Sequence, residues 1–183
     1  MTEYFTEALV IDKSDLADYD ATLVLYTKDL GRITAKAKSL RKPISKLSAH
    51  LEPLNFSSVR LIEKNGFQIV DALTIDRQNN LRSSPELLIR FLSILRFIKK
   101  MTFDLQADYR LWLIIRRIMD PELDEKIIYR ALLKILGFDP QFAMCVSCYK
   151  KEIEFFSVEN QVFLCGQCGR AVWKNKGDEL ILI

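Results

Sequence analysis

Four cysteines stand in two pairs, Cys145-x2-Cys148 and Cys165-x2-Cys168, with sixteen residues between them and none elsewhere in the 183-residue chain. A Cys-x2-Cys turn can put two thiolates on one ion about 2.3 Å away, and two such turns close a tetrahedral shell. The spacing therefore predicts one structural Zn2+ held by Cys145, Cys148, Cys165 and Cys168. Glu154 to Val158 and Gln161 to Leu164 read as a hairpin across Glu159-Asn160 that brings the second pair to the first. Gly166 and Gly169 fall in or beside the second turn, where tight bends are expected. Spacing alone leaves an iron–sulfur cluster open. Disulfides need an oxidising compartment, and Met1-Thr2-Glu3-Tyr4 lacks the basic start and apolar core of a signal peptide. A thioredoxin-like pair needs a βαβ setting, which the pattern does not offer. A deaminase-like catalytic zinc would need His-x-Glu with Pro-Cys-x-x-Cys. His50-Leu51-Glu52 is present, but Met144 precedes Cys145, and the second cysteine pair leaves no open position for water.

Upstream the chain changes character twice. Glu7 to Ile11, Ala21 to Tyr26, Arg32 to Lys38, Asn55 to Ile62 and Phe67 to Ile75 read as strands, with turns at Asp29-Leu30-Gly31 and Asn65-Gly66. About five strands in ~75 residues fit an OB-type barrel, and an SH3-like barrel fits the pattern almost as well. After Ser83-Ser84-Pro85-Glu86, apolar residues recur at helical spacing. Three helices are expected: one after Pro85, a second from about Leu105 to Met119, and a third from about Leu123 to Leu136, ending at Gly137. The expected class is a multi-part α+β chain. It has an OB-like β-barrel over residues 1–78, an α-helical bundle over 79–139 and a zinc ribbon or finger over 140–183.

The net charge of +3 is small, but its distribution is uneven. Residues 1–31 carry −5, while residues 32–60 carry +6 from Arg32, Lys36, Lys38, Arg41, Lys42, Lys46 and Arg60 against Glu52. The stretch at 36–46 lies on a strand end and a long loop. Bases so placed can reach several phosphates, and Arg41 can stack on an unpaired base. Arg32, Lys36, Lys38, Arg41, Lys42 and Lys46 are the candidate DNA-binding residues; the plain alternative is a solvated loop. Tyr4, Phe5, Tyr26, Phe56 and Phe67 are scattered through the barrel region as stacking platforms or as core.

The residues also carry a resemblance. Asp18-Tyr19-Asp20-Ala21-Thr22, Gly31, the run from Ala35 to Lys42, Ser45-Lys46-Leu47 and Leu51-Glu52-Pro53-Leu54 follow in order. Further on, the run from Leu132 to Gly137 and Phe138-Asp139-Pro140 leads into Cys145. This pattern resembles the RecO family of bacterial recombination mediators, over most of the chain. The resemblance implies an OB fold that binds single- and double-stranded DNA, anneals strands and helps load recombinase on DNA coated with single-strand-binding protein (SSB). It also implies two partners, RecR and the C-terminal tail of SSB. Two departures stand out. Lys38-Ser39 replaces the family's glycine after Ala-Lys. The chain ends fifteen residues after Cys168, where family members continue with helices of the central domain. That second departure places the pocket for the SSB tail in doubt.

The expected function is a non-enzymatic DNA-binding mediator of repair, cytoplasmic and nucleoid-associated when bound to DNA. No Gly-rich phosphate loop or convincing nucleophile–base pair suggests catalysis, and no apolar run approaches the ~20 residues of a membrane span. The alternatives are a protein-interaction adaptor and an RNA-binding zinc-ribbon protein.

Overall fold

A computed structural model describes residues 1–174 and 179–183. The chain forms two compact units, Met1–Leu113 and Ile114–Ile183. No helix among the described residues is long and apolar enough to cross a membrane.

The first unit holds five strands, β1 (Thr2–Asp15), β2 (Ala21–Thr27), β3 (Gly31–Ala37), β4 (Phe56–Glu63) and β5 (Phe67–Asp76). They close into a barrel in the order β1-β2-β3-β5-β4. All pairings are antiparallel except the β3–β5 seam, which is parallel over Ala35↔Phe67 to Ala37↔Ile69. This is the OB architecture, and it decides against the SH3-like alternative. β1 is much longer than its apolar centre suggested. Its first half pairs with β4 and its second with β2, with an irregularity between Val10 and Asp12. One strand can thus serve both neighbours because a bulge turns it at the corner. Alternate residues face inward: Leu23, Leu25, Ile33, Ala35, Val59, Leu61 and Ile69 form a closed apolar core. Turning water-accessible apolar surface inward contributes ~25 cal/mol per Å².

Gly31 occupies a turn with φ +70, and a β-carbon there would meet the backbone carbonyl of Gln106. Both the left-handed backbone and the close approach require glycine. Helix α1 (Pro85–Met101) begins as the sequence suggests: Ser84 Oγ accepts from the Leu87 N–H at 3.1 Å, with Pro85 in the first turn. Its end is tied to the barrel by Lys99 Nζ to Asp12 at 2.6 Å, and by the Arg32 guanidinium donating to the Lys99 carbonyl.

Helix α2 (Tyr109–Ile118) starts four residues later than the apolar pattern suggests. Leu105 lies at φ +58 with its N–H bonded to the Arg32 carbonyl, and Asp104 pairs with Arg32. Tertiary bonds hold this stretch out of helix until Asp108 caps the N–H groups of Arg110 and Leu111. Within the first unit, Trp112 is buried edge to face on Phe56 with centroids 5.8 Å apart.

In the second unit, α3 (Glu125–Ile135) is capped by Asp124, and Gly137, with φ +91, follows its last turn. Strands β6 (Phe155–Ser157) and β7 (Val162–Leu164) form the expected hairpin. Two further elements carried no clear sequence signal. Helix α4 (Gly166–Lys174) opens between the last two cysteines, and β8 (Leu180–Leu182) adds a third strand beside β6.

Candidate metal centre and nucleic-acid interface

The two cysteine turns are built by backbone bonds. The Tyr149 N–H donates to the Cys145 carbonyl at 2.8 Å, and the Cys145 N–H to the Lys150 carbonyl at 2.8 Å, curling the first turn. The Val146 N–H donates to the Phe163 carbonyl at 3.0 Å, fastening that turn to β7. The second turn is the start of α4, where the Gly169 N–H donates to the Cys165 carbonyl at 2.8 Å. Gly166 and Gly169 are not needed for unusual bends here. A β-carbon on Gly169 would run into the Phe155 ring, and one on Gly166 into the Glu154 carboxylate. The reason for glycine is close packing of helix on hairpin, not backbone freedom.

These turns bring the sulfurs of Cys145, Cys148, Cys165 and Cys168 within 4.8 Å of one another. Cys148 Sγ and Cys165 Sγ stand 3.5 Å apart, far beyond a disulfide bond. Four thiolates about 2.3 Å from one ion would lie about 3.8 Å apart, so the quartet fits a single tetrahedral metal. Cys145 and Cys165 are buried against Phe155 and Leu164. Burial pushes the Cys145 thiol up, but N–H groups of Cys165, Cys148 and Ser147 outweigh it and bring it to about 6. Hydrogen bonds to Cys165 and Cys148 push Cys168 up to about 12. The Lys150 N–H pulls Cys148 down, yet burial and bonds to neighbouring thiols leave it raised, whereas the Cys168 backbone lowers Cys165. Four clustered thiols cannot all ionise without a cation between them.

In the first unit, the outward positions of β3 are Arg32, Thr34 and Lys36, followed by Lys38 just past the strand end. The loop after β3 carries Arg41, Lys42 and Lys46, all exposed. It is anchored by buried Leu40 and Leu51 in the barrel core. The six candidate cations differ in what they are free to do. Arg32 is committed to Asp104 at 2.6 Å and to the end of α1. Arg41 reaches Asp15 at 3.3 Å and the Leu16 carbonyl at 3.1 Å. The ammonium groups of Lys36, Lys38, Lys42 and Lys46 make no ion pair or hydrogen bond among the described residues. His50 lies in the helical turn Ser48–His50 of the same loop, its Nδ1 accepting from the Thr74 N–H at 3.1 Å and lying 2.8 Å from the Thr74 hydroxyl.

Of the aromatic candidates, Tyr26 and Phe56 are buried, and Tyr4 packs edge to face on Phe67 at 5.9 Å. Phe5 is 70% exposed, on β1 where it pairs with β4, with the Arg60 guanidinium 5.6 Å over its ring. Sequence reasoning missed Tyr19. It sits in the turn Ala17–Tyr19 between β1 and β2 and is 57% exposed. Asp18 and Tyr19 both have left-handed backbones, φ 57 and 68. Such conformations are uncommon for non-glycine residues, and no periodicity signals them.

A closed OB barrel with a lysine-rich loop and, further along the chain, a four-thiol cluster able to hold a metal ion define an OB protein with a candidate metal centre. Residues 1–77 match the family described as "Recombination protein O N terminal". A protein named "DNA repair protein RecO" from Dehalococcoides mccartyi is 30% identical over 177 residues, covering 91% of this chain and 70% of the relative. Proteins of the same name from Thermodesulfovibrio yellowstonii and Caldicellulosiruptor saccharolyticus are 27% and 26% identical, each with 70% of its length covered. The chain belongs to the RecO family of DNA repair proteins.

Proposed function

We propose that this protein is a DNA-binding recombination mediator that holds single- and double-stranded DNA through its cationic loop, anneals strands and helps load recombinase on SSB-coated DNA. The observation that carries this reading is the set of ammonium groups unpaired among the described residues, Lys36, Lys38, Lys42 and Lys46, along one strand and loop of the barrel. Phosphates supply the partner these groups lack, and each neutralised phosphate releases counterions. Family membership supports the same reading and adds a RecR-like mediator and SSB as partners. The protein acts by binding, without a catalytic centre. The cysteine quartet holds one structural Zn2+, a reading supported by sulfur spacing that suits one ion better than a multi-iron cluster. A closed four-thiolate shell has no position for an activated water, so the metal shapes the fold.

The test is DNA binding across a salt series. Reversing Lys42 and Lys46 to Glu is expected to weaken binding to both DNA forms and to reduce the slope of log affinity against log salt by about two. An unchanged slope would exclude the loop as the phosphate contact. Strand annealing of bare and SSB-coated DNA then tests the mediator role: annealing that fails on both contradicts it.

A further inference from the structure

We infer that Tyr19 is a base-stacking residue that makes this protein prefer single-stranded to double-stranded DNA, an inference that rests on the DNA-binding reading above. Tyr19 exposes 57% of its surface, whereas Tyr26 and Phe56 are buried and Tyr4 is packed on Phe67. Phe5, an exposed aromatic on β1, lies where that strand pairs with β4, away from β3 in the barrel order.

The turn that presents Tyr19 is fixed, and it is fixed to the cationic loop. The Leu16 N–H donates to the Asp20 carbonyl and the Asp20 N–H to the Ala17 carbonyl, closing the turn. The Asp20 carboxylate then accepts from the Ser39 N–H at 2.7 Å. The Tyr19 carbonyl accepts from the Arg41 N–H at 2.9 Å, and the Arg41 guanidinium returns to the Leu16 carbonyl. Two successive left-handed residues, Asp18 and Tyr19, are held in place by this network. Strained backbone of this kind persists where surroundings over-determine it, and it concentrates at sites that present a side chain for use. Here it keeps a large ring in water beside the loop that carries Lys38, Lys42 and Lys46.

The chemistry follows from the placement. Ammonium groups on the loop fix the phosphates of a strand and do not distinguish single from double strands strongly. An exposed tyrosine on the turn bonded to that loop offers stacking to a base, which is available only when the base is unpaired. Tyr19 therefore adds affinity for the single-stranded reactants of annealing and not for the duplex product. Pairing of the two strands removes the stacked base and loosens the protein from what it has made.

The experiment compares the wild-type chain with Tyr19→Ala, Tyr19→Leu and Tyr19→Phe. Each is titrated onto an oligothymidylate, a duplex of equal length and an abasic deoxyribose-phosphate oligomer. Tyr19→Ala and Tyr19→Leu should lose about tenfold on oligothymidylate, with the salt slope unchanged. They should bind the duplex and the abasic oligomer as wild type does, and Tyr19→Phe should retain wild-type affinity throughout. A thermal midpoint equal to wild type shows that the turn is intact. Equal loss on all three ligands, no loss on oligothymidylate, or a loss in Tyr19→Phe as large as in Tyr19→Ala overturns the inference. If wild type binds with a steep salt slope and Tyr19→Ala is unaffected, stacking alone is refuted. If wild type binds no DNA, the DNA-binding reading fails and this inference fails with it.

Discussion

The barrel closes its hydrogen-bond ladder on itself around Leu23, Leu25, Ile33, Leu61 and Ile69, whereas the cysteine module has three-residue strands around Cys145, Phe155, Leu164 and Cys165. In the barrel every strand is bonded on both sides, so stability is spread over many small contributions. In the module half of the buried cluster consists of cysteines. Removing one barrel side chain leaves the others in place; removing an ion held by those cysteines removes the centre. With a metal held there as proposed, one region of the chain should degrade gradually and the other should fail at once.

The largest break in this comparison should come from the metal. Zinc-finger peptides draw about 10–16 kcal/mol from zinc binding, comparable to the ~5–15 kcal/mol of a whole domain. Chelation, or Cys165→Ser, is expected to collapse protection of the β6–β7 hairpin against hydrogen exchange while β1 to β5 stay protected. Equal loss in both regions would mean that the barrel depends on the metal. Reloading at pH 7 should release protons from Cys148 and Cys168, whose raised thiols stay protonated there without a metal. Calorimetry in buffers of different ionisation enthalpy reads that release.

A smaller effect is expected in the first unit. Trp112→Ala removes a buried ring from Phe56 and should cost about 3–5 kcal/mol in urea unfolding, with the zinc content of the purified protein unchanged. Smaller again are two glycine replacements that look alike on paper. Gly31→Ala should cost about 1–3 kcal/mol, because both backbone angle and the Gln106 carbonyl oppose it. Gly169→Ala meets the Phe155 ring first and has no backbone-angle penalty. Its effect should appear as weaker metal retention in a competition with a chromogenic chelator, with little change in barrel unfolding.

Much of this was legible in the sequence, for identifiable reasons. Strands β3 and β4 show period-two burial, Asn65-Gly66 marks a hairpin, and Ser84, Asp124 and Gly137 carry capping chemistry that acts locally. The cysteine spacing is likewise local geometry. What was not legible depends on distant partners. The late start of α2 reflects Arg32, 72 positions before Asp104, drawing Asp104 and Leu105 out of helix. The division of the six candidate cations into committed and unpaired ones depends on Asp15, Leu16 and Asp104. Tyr19 was passed over because its exposure comes from a turn that the cationic loop holds from outside. Gly169 was assigned to a bend, since the Phe155 ring that excludes a side chain lies fourteen residues away in sequence.

The parallel seam between β3 and β5 is short: Ala35, Lys36 and Ala37 pair with Phe67, Gln68 and Ile69. Every other junction of the barrel is longer. A closed ring opens first at its shortest junction, so local opening will begin there, and amide protons along it will exchange before those shared by β4 and β5. Lys36 lies in this seam, and Lys38 stands just beyond it at the start of the cationic loop. A strand of DNA held by both would lie across the place where the barrel breathes. DNA held in that way would act as a splint, and slower exchange at the seam would then gauge occupancy.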